Sequence, residues 1–112
     1  MRRANIEIRL TAPAESEVII AVSGELDMST IDALTDQVET ELRRPLALLT
    51  LDLGDLAFMD STGLRLLIEL NDRARQESWR LRLIFPRHES AARVLQITGA
   101  DVALPFERQS MW

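Results

Sequence analysis

Cysteine is absent from the 112 residues, and so is lysine. The first absence excludes disulfides and thiolate metal sites, and it is compatible with a reducing compartment. The second excludes any chemistry that needs a lysine amine; all 13 basic residues are arginine. His88 is the only histidine, and no His–Ser–acid set or zinc ligand cluster is evident. Long apolar runs are also missing. The longest are strand length, far short of the roughly 18 residues of a membrane span. Residues 1–8 carry charge but no apolar signal core. The chain therefore reads as soluble, cytoplasmic and unexported, with no membrane insertion. Its formal charge of −5 disfavours nucleic acid, which is bound by neutralising phosphates. No cofactor is implied.

What is present fits one domain over 1–112, large enough to bury its own core without a staple. Residues 6–10 alternate apolar and polar, the mark of a half-buried strand. Residues 12–17 read as a turn, Val18 to Val22 as a buried strand, and Ser23-Gly24 as its end. Ile31, Leu34, Val38 and Leu42 then step by three and four, which predicts an amphipathic helix. Ser29 or Thr30 is placed to cap it, and Pro45 to stop it. Leu46 to Leu53 reads as a central strand buried on both faces.

A second helix is expected to turn Leu64, Leu67, Ile68, Leu70, Asn71 and Ala74 inward. Leu81, Leu83 and Phe85 alternate with Arg80, Arg82 and Ile84 as a further strand. Ala91, Val94, Leu95 and Thr98 form a short helix stopped by Gly99. The tail from Val102 to Trp112 adds a last short strand or helix. Trp79 and Trp112 read as packing or surface residues, Met28 and Met59 as packing against the sheet edge, and His88 as part of a strand–helix turn. The order β-β-α-β-α-β-α predicts an α/β fold: a leading hairpin, then right-handed crossovers, giving a mixed four- to five-stranded sheet with helices packed on it.

Two strand-to-helix segments hold more polar and turn residues than the fold requires: Gly24-Glu25-Leu26-Asp27-Met28-Ser29-Thr30 and Met59-Asp60-Ser61-Thr62-Gly63-Leu64. If their strands are parallel neighbours, both emerge at the carboxyl edge of the sheet, where open α/β sheets bind ligands and partners. Ser61 and Thr62 fall in the first turn of a helix, where free N–H groups and the dipole favour negative charge. A phosphate on Ser61 would add about −1.5 to −2 of charge beside Asp60, with Asp27 and Asp55 as further neighbours. It would repel an acidic partner surface. The same Asp60-Ser61-Thr62-Gly63 run is also good capping chemistry, so the residues alone leave Ser61 as either a cap or a modifiable hydroxyl.

The segments 22–30, 51–67 and Ile97-Thr98-Gly99-Ala100-Asp101 together resemble the STAS domain family, the module named for sulfate transporters and anti-sigma factor antagonists. The resemblance covers nearly the whole chain, and its pattern is that of the bacterial antagonist type. Thr62 stands where many relatives have a second serine, and Ala100 replaces a frequent leucine. The resemblance implies partner switching. An unphosphorylated antagonist binds an anti-sigma factor serine kinase and frees a sigma factor for transcription. The kinase phosphorylates the antagonist, which lets go, and a phosphatase resets it. Carried onto this chain, the acceptor is Ser61, supported by Asp60, Thr62 and Gly63. Gly24, Glu25, Asp27 and Ser29 form the partner-facing loop.

The family also implies a second role, a non-switching scaffold subunit of a lipid-transport ABC system or a stress-sensing complex. An enzyme is not expected. Receiver domains and aspartyl phosphatases share some of these acids but use a lysine that this chain lacks. Asp60-Ser61-Thr62-Gly63 is also not the aspartic-protease turn, because a residue intervenes.

Overall fold

The computed structural model describes residues 5–107. Strands β1 (Ile6–Ala14) and β2 (Glu17–Leu26) pair antiparallel, and their turn shrinks to Glu15 and Ser16. The break expected over 12–17 is narrower because β1 is an edge strand. Pro13 is tolerated there, since an outward-facing edge needs no N–H donor. Along β2, Val18, Ile20, Val22 and Leu26 are buried, while Ile19 and Ala21 between them are half-buried. β2 does not end at Ser23-Gly24. Gly24 takes φ +95°, and an added Cβ would lie 2.5 Å from the Asn5 carbonyl oxygen. The glycine thus lets the chain pass tightly under Asn5, with a register shift just after it, and the strand runs on to Leu26.

Helix α1 (Ile31–Leu42) follows, with Leu34 and Val38 buried. Next come β3 (Leu48–Asp52), β4 (Leu56–Met59), α2 (Ser61–Glu77), β5 (Arg80–Ile84), α3 (Glu89–Thr98), α4 (Ala100–Ala103) and β6 (Phe106–Glu107). β3 is buried on both faces, as its continuous apolar run predicts: Leu49, Thr50 and Leu51 are all inaccessible.

The sheet is mixed and has six strands, in the order β1-β2-β3-β5-β6 with β4 set against β2. β2 pairs with β3 through Glu17 to Ala21 and with β4 through Gly24 to Leu26, both parallel. β3 and β4 therefore share one edge of β2 in succession. The connections through α1, α2 and α3 all advance the same way along the sheet. Right-handed crossovers then put all three helices on one face. There Val18, Ile20, Leu49, Leu51, Leu81 and Leu83 form the floor of the core.

Helix α2 is rotated from the expected stripe. Its buried residues are Gly63, Leu66, Leu67, Leu70 and Ala74, whereas Ile68 is exposed. Gly63 sets this rotation, because a Cβ there would sit 2.6 Å from Met59 Cγ and 3.0 Å from Leu26 Cδ2. Trp79 packs into the core and donates its Nε1–H to Glu77 at 3.2 Å. Gly99 ends α3 in the left-handed conformation at φ +80°, as expected, and His88 occupies the turn before α3. The tail supplies both a short helix, α4, and a short strand, β6. Phe106 of β6 meets Phe85 edge to face at 5.2 Å. Arg108 to Trp112 lie outside the described residues. No described helix is long and apolar enough to cross a membrane.

Candidate functional site

The two polar segments do come together. Parallel pairing sets Glu25 beside Phe58 and Leu26 beside Met59. The register then closes with the Asp60 N–H donating to the Leu26 carbonyl at 3.2 Å. Asp27 and Asp60 thus follow paired residues and leave the sheet side by side, at the carboxyl ends of two parallel strands.

The first junction is tied inward. Thr30 is only 2 % exposed. Its hydroxyl donates to the Glu25 carbonyl at 2.8 Å and accepts the Asp27 N–H at 3.0 Å. Thr30 occupies the N-cap position of α1, but its hydroxyl makes no capping bond to the helix. The Asp27 carboxylate accepts both the backbone N–H and the hydroxyl of Ser29, at 2.9 and 2.7 Å. Such short-range bonds let Asx and Ser side chains stand in for a backbone turn. Met28 does not pack against the sheet. Held between these two tied residues at the tip of the turn, it is 80 % exposed. Met59 does pack, with no exposed surface.

The second junction is a single residue. Asp60 is the N-cap of α2, and its Oδ1 accepts the Thr62 N–H at 2.9 Å. Its carbonyl accepts the Leu64 N–H at 3.2 Å. The capping role considered for Ser61 therefore belongs to Asp60. Ser61 is the first helical residue and is exposed. Its hydroxyl joins none of the side-chain hydrogen bonds among the described residues. Thr62 is half-buried and Gly63 buried.

Asp55 is not part of this cluster. The whole of β4, roughly 13 Å of strand, separates it from Asp60, and it pairs with Arg87. The sequence placed it near Ser61 because Leu56 to Met59 reads as loop. Those four residues have the burial pattern in-out-out-in, which is too short and irregular to announce a strand.

From Thr62, next to Ser61, a shallow groove of about 290 Å³ runs between α1 and α2, lined among others by Ile31, Arg65, Leu66 and Glu69. At its far end Arg73 of α2 bridges to Glu39 of α1 and, at 3.2 Å, to Glu77. The Glu39 hydrogen bond holds the Arg73 guanidinium above its ordinary pKa. The Arg73 hydrogen bond, followed by the one from Trp79, holds the Glu77 carboxyl below its own. Arg65 and the exposure of Met28, which was expected to pack, escaped the sequence reading. Arg65 follows Ser61 by one helical turn, a spacing visible in the sequence. The only hint of Met28's exposure was its place among polar turn residues. No group of three or more His, Cys, Asp or Glu that could hold a metal occurs among the described residues.

A family model described as "Mlab, STAS domain" matches residues 10–105. The chain belongs to the STAS domain family. The structure is similar to an anti-sigma factor antagonist from Mycobacterium paratuberculosis, with 24 % identity, a TM-score of 0.72, and coverage of 93 % of this chain and 86 % of that one. It is also similar to the anti-sigma factor antagonist SpoIIAA in its unphosphorylated form, with 20 % identity, a TM-score of 0.76, and coverage of 94 % and 90 %. At these identities the likeness speaks for the fold. A comparison with curated proteins gives no match.

Proposed function

We propose that this STAS domain is a bacterial cytoplasmic anti-sigma factor antagonist, a regulator and not an enzyme, switched at Ser61. In its unphosphorylated form it binds an anti-sigma factor serine kinase and releases a sigma factor. The observation that carries this reading is the division of labour at the second junction. Asp60 caps α2, which leaves the neighbouring hydroxyl exposed and without a structural bond, available to a kinase.

In the transfer, Ser61 Oγ attacks the γ-phosphorus of ATP held by the partner. The bond to ADP breaks and the hydroxyl proton is released. Asp60 holds the turn in shape, Thr62 and Gly63 open the helix, and Gly24, Glu25, Asp27 and Ser29 shape the adjacent loop. That loop presents Met28 as an apolar contact. The added charge of about −1.5 to −2 beside Asp60 and Asp27 then disfavours the complex, and a phosphatase restores it.

A second reading is a non-switching scaffold subunit of a lipid-transport ABC system or a stress-sensing complex. It is favoured by the match to a family model named for Mlab and by a helix cap that is complete without phosphate. One experiment separates the two. Immobilised Ser61→Ala and Ser61→Glu proteins are exposed to host lysate, and the retained proteins are identified by mass spectrometry. The switch predicts a serine kinase of ATPase type on Ser61→Ala that is lost from Ser61→Glu. Equal retention of a transporter ATPase or large scaffold on both would sink the switch and leave the scaffold.

A further inference from the structure

We infer that Arg65 is the intramolecular receptor for a phosphate on Ser61, exchanging its present partner Glu69 for the phosphoryl group. The inference rests on Ser61 being the modified residue, and it concerns what the modified chain does with the charge.

Ser61 and Arg65 are both exposed on α2 and four residues apart. At that spacing helical side chains are neighbours, with Cβ atoms about 5–6 Å apart. Long helical side chains lean toward the N-terminus of their own helix, over the preceding turn. For Arg65 that turn is the one that begins at Ser61. The guanidinium is free to make the exchange. Its side chain is 82 % exposed, and its ion pair is to Glu69, 3.5 Å away on the following turn, itself largely exposed. Such a surface pair is worth little. A phosphate near −2 offers three acceptor oxygens to the planar donor fork of arginine, a charge-assisted and geometrically better contact. The order also suits the helix, with the anion N-terminal to the cation.

The exchange has a consequence one turn beyond the phosphate. Glu69 and Arg65 both line the groove between α1 and α2. When Arg65 swings toward Ser61, the Glu69 carboxylate is left without that cation. The groove then becomes more negative along two turns of α2, not only at its mouth. Phosphorylation thus alters the whole helix face that begins at Ser61.

The test uses full-length protein carrying phosphoserine installed at position 61 by genetic code expansion, so it does not depend on any kinase. The second ionisation of the phosphate is followed by phosphorus NMR in the otherwise unsubstituted chain, in Arg65→Gln and in Arg65→Lys. Asp60 and Asp27, the acids beside Ser61, are present in all three and cancel. The expected result is that the phosphate of Arg65→Gln titrates higher by roughly 0.15–0.35 pH unit. Arg65→Lys should fall between, and the gap should shrink in about 0.5 M salt. The Arg65 Nε–H cross-peak should move on phosphorylation while those of other arginines hold still. Equal titration in the unsubstituted and Arg65→Gln chains, with a stationary Arg65 cross-peak, overturns the inference. Its failure is separable from that of the switch itself. A titration gap in a protein that cells never phosphorylate leaves Arg65 paired and removes the switch; phosphorylation in cells without the gap does the reverse.

Discussion

Between Leu26 and Ile31 the chain needs Asp27, Met28, Ser29 and Thr30 to pass from β2 to α1, whereas between Met59 and Ser61 Asp60 alone suffices. The longer junction is closed by its own side chains, with Thr30 buried beneath it. The shorter one is closed by one carboxylate and a backbone bond to Leu26. Ser29 and Ser61 are both exposed serines at the same sheet edge, yet only the Ser29 hydroxyl is held, by Asp27. The difference teaches that a polar residue at a helix start is not informative by type. What distinguishes Ser61 is that its neighbour has already satisfied the helix end.

Substitutions should break this contrast in a definite order. Gly24→Ala forces a left-handed conformation on alanine and drives its Cβ against the Asn5 carbonyl. A loss of about 2–4 kcal/mol is expected in urea unfolding. Gly63→Ala pushes α2 off Met59 and Leu26 and should lose about 1–3 kcal/mol. A loss under half a kcal/mol for either would show that the close approach relaxes freely.

Thr30→Val is next. It keeps the shape but removes the hydroxyl that bonds both the Glu25 carbonyl and the Asp27 N–H, for about 1–3 kcal/mol by the same assay. Asp60→Ala removes the cap of α2 and should cost about 0.5–2 kcal/mol. Ser61→Ala should stay within about 0.5 kcal/mol of the parent. If Ser61→Ala instead destabilised more than Asp60→Ala, the serine would be the structural residue and the contrast between the junctions would be gone.

The smallest effect concerns the end of α2 remote from Ser61 and depends on pH. Folding lowers the Glu77 carboxyl below its ordinary value of 4.5, chiefly through Arg73. The stability this adds is therefore fully present above that value and is lost as pH falls through the lower, folded one. The melting temperature of Glu77→Gln should lie below that of the parent at neutral pH and converge on it in acid, as the folded carboxyl takes up its proton. A gap that is constant with pH would assign the effect to packing rather than charge.

Much of this was legible in the sequence. The step of Ile31, Leu34, Val38 and Leu42, the apolar run of β3, the stop at Gly99 and the meeting of two polar segments all follow from period, run length and turn chemistry, which are local properties. β4 was not legible, because a four-residue strand is held by pairing with Gly24 to Leu26, which its own composition does not reveal. The face of α2 was misread by one position, since the hydrophobic stripe is wide and the contact of Gly63 with Leu26 and Met59 decides where it points.

The sequence by itself determined the α/β class, the hairpin followed by crossovers, and the presence of a serine at a helix start. Each depends on residues within a few positions of one another. Only the tertiary structure decided that Asp60 is the cap and leaves Ser61 unbound, that Met28 projects outward, and that Asp55 belongs with Arg87. Those outcomes turn on which strands pair and how closely a helix approaches them. Pairing and packing join residues that are distant in the chain, and no local pattern encodes that distance.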